Sequence, residues 1–139
     1  MFTPSDWNAG IVKHDFTPEQ TAWFKKVFTA ADRVRPFFEG DFYPLTDVRA
    51  ANSQGERAWC AYQMHRPDID AGFVICFRRL DAPPHVFTAS LGGIDKSARY
   101  TVETYDGSTV QMDGHDLASF SVELKSPRSF HLSFYSRAK

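Results

Sequence analysis

From Gly40 onward, apolar residues recur in short runs broken by turn-forming clusters, and no gap between runs can hold a crossover helix. Parallel strands need such a crossover, so a parallel βαβ sheet is excluded and the strands must pair antiparallel. The breaks are "ANSQGE", "RPDIDAG", "DAPP", "LGGIDKS", "YDG", "MDGHD" and "KSPRS", each rich in Gly, Pro, Asp, Asn or Ser. They place strands near residues 42–49, 57–65, 72–80, 85–91, 99–105, 108–113, 120–125 and 129–137. Phe120, Val122 and Leu124 alternate with Ser121, Glu123 and Lys125; Phe130, Leu132 and Phe134 alternate with His131, Ser133 and Tyr135. "AWCAYQM" and "GFVICF" are apolar on both faces, as central strands should be. About eight short strands at this spacing predict an antiparallel β-sandwich or barrel, of which we take the sandwich.

The residues before Gly40 follow another period. Trp23, Phe24, Val27, Phe28, Ala31, Val34 and Phe38 recur every three or four positions, which predicts one amphipathic α-helix of about five turns. Thr17-Pro18-Glu19-Gln20 is its start: a capping threonine, a proline at the first helical position, and a glutamine where a capping box requires it. Pro36 and Gly40 end it. The expected organisation is a lead-in and helix over residues 1–39 and an all-β domain over residues 40–139.

Composition narrows the function. A net charge of −1 with scattered Lys and Arg disfavours nucleic acid and anionic membrane as partners. No apolar run reaches the ~20 residues of a membrane-spanning helix. The opening "MFTPSDWNAG" lacks the pattern of a secretory signal, so the cytoplasm is the expected compartment. Cys60 and Cys76 sit in strand-like runs and are expected to be buried free thiols. His14, His65, His85, His115 and His131 show no ligand spacing, so neither a metal nor a cofactor is expected. No serine-nucleophile motif or phosphate-binding glycine loop occurs.

The candidates for chemistry are few. Asp41, between the helix and the first strand, can form the turn or, with Asp68 or Asp70, supply a carboxylate pair of the kind glycosidases use. Arg78 and Arg79 end an apolar strand and can pair with Asp41 or Glu39 at the helix–sheet junction. Tyr43, Trp59 and Tyr62 are the candidates for a sugar-stacking platform, although their alternation within strands of buried character favours core and junction positions.

Four motifs carry a resemblance. Gly40-Asp41-Phe42-Tyr43-Pro44-Leu45-Thr46 resembles the "G-D-[YF]-Y-P-L-T" junction of melibiase-type microbial α-galactosidases, glycoside hydrolase family 36 and its relatives. Trp59 to Pro67 is similar to that family's "W-x-A-[WY]-Q-x-H-R-P" strand, and Gly72 to Arg79 to its "G-x-V-x-x-F-R-R" strand. Leu91 to Asp95 followed by Ala98 to Val102 resembles its "L-x-G-L-D…A-x-Y-x-V" hairpin. In that family the junction leads from the last helix of a catalytic (β/α)₈ barrel into a C-terminal antiparallel sandwich. The family's catalytic aspartates lie on barrel strands upstream, and nothing here corresponds to those strands. The resemblance therefore carries over no catalytic residue and makes Asp41 a junction residue.

Together these features imply a non-catalytic C-terminal module of an α-galactosidase-like glycoside hydrolase, partnered by a catalytic barrel domain or by a second copy of itself. The alternatives are a stand-alone carbohydrate-binding module taking galactosides and, less consistent with the resemblance, an enzyme built on Asp41.

Overall fold

The computed structural model describes residues 15–47, 57–83 and 85–139. They form two compact units, one ending at Arg33 and one running Val34–Lys139.

The first unit is dominated by α1 (Pro18–Val34). Its start is the expected capping box: the Gln20 amide donates to Thr17 Oγ1 at 3.2 Å, and the Thr17 amide donates to Gln20 Oε1 at 3.0 Å. Phe24 gathers Phe16, Trp23 and Phe28 around it, with ring centroids 5.0, 5.1 and 6.4 Å away. The α-helix stops earlier than the apolar spacing predicts. Arg35–Glu39 is a 3₁₀ segment, because Pro36 has no amide hydrogen to continue the helical ladder. Phe38 thereby leaves the helix stripe. It packs with Phe37 on the sheet below, both rings against Phe73 at 6.2 and 5.9 Å.

Among the described residues the second unit has eight strands in two sheets. A six-stranded sheet runs in the order β1 (Asp41–Pro44), β2 (Cys60–Arg66), β3 (Ala71–Arg78), β8 (Ser129–Arg137), β5 (Arg99–Thr104) and β6 (Thr109–Asp113). A two-stranded sheet pairs β4 (Val86–Ser90) with β7 (Ser119–Glu123). Every pairing is antiparallel. This is the β-sandwich that the alternation predicts, and its strands fall close to the predicted ranges; residues 48 and 49, the end of the first of those ranges, lie outside the described residues. One element departs from expectation. Within the "MDGHD" stretch, read as a turn, a short helix begins, α2 (Gly114–Ala118), that carries the chain from β6 across to β7.

Register sorts the large sheet into two faces. Ala61, Val74, Cys76, Tyr100, Val102 and Tyr135 point inward and join Trp59, Leu91 and Leu117 in one buried cluster, with Phe87, Phe120 and Val122 of the small sheet packed on it. Phe42, Tyr62, Phe73, Phe77, Phe130 and Phe134 occupy the outer face.

Candidate functional site

Strand β1 sets the junction motif against β2 so that Asp41 lies opposite His65 and Tyr43 opposite Gln63. Side chains opposite one another in an antiparallel ladder share a face, so these four lie on the inner side of the sheet. Gly72 on β3 lies opposite both His65 and Tyr135. A methyl group there would sit 2.2 Å from the Met64 carbonyl oxygen and 2.3 Å from the Tyr135 hydroxyl, so only glycine lets the tyrosine lie across β3 toward β2.

The result is a buried polar chain. The Gln63 side-chain amide donates to the Gly92 carbonyl at 2.8 Å and to Tyr135 Oη at 2.7 Å, and its Oε1 accepts from the Gly92 amide at 2.9 Å. Tyr135 Oη lies 3.1 Å from His65 Nδ1. With its oxygen accepting from Gln63, we assign its one proton to the imidazole, which makes Nδ1 the acceptor and His65 neutral. Burial also lowers the pKa of His65, against the opposing pull of the Asp70 and Asp41 carboxylates. Alongside runs a second chain: Tyr100 Oη donates to Asp70 at 2.8 Å and accepts from the Asp95 amide at 3.1 Å, and Arg137 bridges Asp70 and Asp95 at 3.0 and 3.2 Å. Asp70 adopts φ 45°, a left-handed turn position that aspartate tolerates.

Residues from all four motifs meet here: Asp41 and Tyr43, Gln63 and His65, Gly72, and Gly92 with Asp95 and Tyr100. Gln63 and Tyr100 are 0% exposed, His65 and Tyr135 2%. A substrate has no access to these side chains. Among the described residues no buried side-chain nitrogen or oxygen lacks a hydrogen-bond partner. Such a network fixes register and loop position.

The other candidates are dispersed. Tyr43 is half-buried, its ring against Gly92 where a side chain would collide with it. Trp59 is buried, stacked on Phe87 at 5.4 Å, with its indole nitrogen donating to the Pro83 carbonyl. Tyr62 faces the opposite side of the sheet, near Phe42 and Phe73 at 5.7 and 6.1 Å. The three rings do not share a plane.

The ion pair expected between Arg78 and the junction does not form. Arg78 stands at the far end of β3, about 20 Å along the strand from the Asp41–His65 position. Its buried guanidinium instead donates to the carbonyls of Ala82, Leu124 and Lys125 at 3.1, 2.8 and 2.5 Å. Arg66, near the junction, pairs bidentately with Asp68 and feels the charge of Glu39. Arg79 lines an outer-face groove of about 450 Å³ with Cys60, Phe77, Arg128 and Phe130.

Among the described residues no three His, Cys, Asp or Glu side chains converge as metal ligands, and no helix is long and apolar enough to cross a membrane. Sequence reasoning missed Tyr100, Tyr135 and Asp70 as network members. The available signal was a glutamine and a histidine at inward positions of a strand that otherwise reads as core.

The fold is an antiparallel β-sandwich in which residues of the four motifs build a buried polar network. No family model matches the chain, and no curated protein does. Among solved structures it is similar to the galactosidase domain of alpha-galactosidase-sucrose kinase, AgaSK, with a TM-score of 0.67 and 17% identity. The similarity covers 88% of this chain but only 17% of that one. The chain thus has a galactosidase-related fold and spans about a sixth of that structure's length.

Proposed function

We propose that the chain is a non-catalytic β-sandwich module of an α-galactosidase-like glycoside hydrolase of the melibiase type, and that it works by covering part of a catalytic barrel domain. The observation that carries this reading is the outer face of the six-stranded sheet. Phe42, Phe77 and Phe130 are 56%, 38% and 44% exposed on that face. They lie beside Tyr62 and Tyr105, with Phe77 paired to Phe130 at 6.4 Å and Tyr105 to Phe130 at 5.2 Å. An antiparallel sheet with one solvated face normally turns polar residues to water, and an apolar patch rimmed by charge marks a docking surface. Arg79 and Arg128 beside the groove supply such a rim. Covering the exposed halves of three phenylalanines is worth about 3 kcal/mol. The fold similarity and the structural use of the motif residues support the same reading.

Two measurements test it. The purified chain should not hydrolyse nitrophenyl α-galactoside; turnover abolished by Asp41→Asn would overturn the non-catalytic assignment. It should bind the hydrophobic dye ANS and self-associate with concentration in sedimentation velocity, and the double variant Phe77→Glu/Phe130→Glu should lose both behaviours. A wild-type monomer that leaves the dye dark would exclude a docking role for this face.

A further inference from the structure

Among the described residues the small sheet has two strands and the large sheet six, and inward residues of β5, β6 and β8 line a cleft together with residues of α2 and β7. The cleft has a volume of about 310 Å³. Met112, Val110 and Phe120 line its apolar part, and Asp116, His131 and Ser133 are among the polar groups around it.

Its polar residues are out of place for a sandwich core. His131 lies opposite Cys76, and Ser133 opposite Val74, at inward positions where neighbouring strands place core side chains. In a well-packed sandwich both would be apolar. Departures from the inside-out pattern concentrate where a protein does something other than fold. The polar inward residues of the Gln63 network satisfy one another; His131 and Ser133 instead border the cleft.

We propose that this cleft binds one neutral hexopyranose ring. The volume sits at the lower end of small-molecule sites, about 300–1,000 Å³, so it suits a single ring and not an oligosaccharide. Phe120, its ring centroid 5.8 Å from that of His131, offers an apolar plane for the C–H face of a sugar. The Asp116 carboxylate, 72% exposed at the mouth, accepts hydroxyl hydrogens. His131, held neutral by burial, offers one donor and one acceptor, and Ser133 offers a hydroxyl. No lysine or arginine lines the cleft, while Asp116 lies on it and Asp106 acts on His131. Phosphorylated and other anionic sugars are therefore disfavoured. This site is separate from the outer docking face and stands whether or not that face meets a barrel.

Chemical-shift mapping of the whole chain with galactose, glucose, galactose 6-phosphate and cyclohexanol tests the proposal. The neutral sugars should shift the amide signals of Met112, Phe120 and His131 with a Kd on the order of 1 mM, and galactose 6-phosphate should bind at least about tenfold more weakly. Asp116→Asn should weaken sugar binding severalfold, and Val110→Arg, at a half-exposed position, should abolish it while leaving the melting temperature within a few degrees. No shift at saturating sugar, shifts elsewhere on the molecule, or equal binding by cyclohexanol would each overturn the assignment.

Discussion

Tyr135→Phe removes a single oxygen from the centre of the buried chain, and its consequence can be worked out group by group. The hydroxyl accepts from Gln63 Nε2 at 2.7 Å and donates to His65 Nδ1 at 3.1 Å. Without it, one amide hydrogen and one imidazole lone pair are left unpaired behind side chains that are at most 2% exposed. An unpaired buried group costs about 1–3 kcal/mol, so two such groups cost about 3 kcal/mol even toward the low end. The phenyl ring keeps its place against Tyr100 at 6.1 Å, so little packing is lost. For a unit the size of Val34–Lys139, 3 kcal/mol corresponds to a fall of about 13 °C in melting temperature.

Tyr62→Phe is the control, because that ring lies on the opposite face; it should cost under about 0.5 kcal/mol. Both variants are read by thermal and urea unfolding with circular dichroism at pH 8 and pH 5. The Tyr135→Phe deficit should be smaller at pH 5. The lost hydrogen bond favoured neutral His65, so the variant accepts a proton more easily than the wild type and loses less stability to acid. A deficit below about 1 kcal/mol, indistinguishable from Tyr62→Phe, would show that water or a rearranged Gln63 replaces the hydroxyl and that the chain is not the constraint argued for it.

Acid should destabilise the wild-type fold: burial lowers the pKa of His65 and of His131 from 6.5, so the unfolded chain binds protons that the folded one refuses. The melting temperature should therefore hold above pH 6.5 and decline below it, and His131→Gln should flatten part of that decline. On the alkaline side Tyr100 is pushed up to about 12 by burial and by its bond to Asp70, and burial raises Tyr135 as well. Their contribution is complete below about pH 10 and is lost as pH rises through 12, which a urea titration at pH 9 and pH 11.5 would detect. Arg78→Met should cost about 3 kcal/mol, because the carbonyls of Leu124 and Lys125 lose a charged donor; a cost under 1 kcal/mol in urea unfolding would contradict this. Gly72→Ala should prevent stable folding at 37 °C, since the Met64 carbonyl, which is backbone, and the buried Tyr135 ring both occupy the space; recovery of folded protein at wild-type yield would refute the crowding.

How much of this was legible depended on the range over which the determining interaction acts. The helix start was readable to the residue, because its reciprocal bonds join positions three apart. Strands were readable because alternation is local. The helix end was overrun because Phe38 fits the helical spacing, and spacing alone does not register that Pro36 redirects the phenylalanines onto the sheet. The short α2 was missed because a single helical turn that begins inside "MDGHD" has the composition of a loop. Charge logic offered Arg78 or Arg79 a junction acid, whereas Arg78 is held by carbonyls 46 and 47 residues away that no charge pattern announces.

The polar network was the least legible part, for the same reason in stronger form. Its bonds join residues 72, 70 and 30 positions apart, and those neighbours exist only once strand order and register are set. In the sequence, Gln63, His65, His131 and Ser133 look alike: polar residues in strands whose inward neighbours are apolar. Only the folded arrangement separates them. Gln63 and His65 sit where β2, β3 and β8 bring a tyrosine and a glycine carbonyl within reach, and their hydrogen-bonding capacity is spent inside the protein. His131 and Ser133 sit farther along β8, where they border the cleft. An inward polar residue is thus structural where neighbouring strands and loops bring it a partner, as they do for Gln63 and His65. Which residues receive such partners is set by strand order and register, not by the character of any one residue.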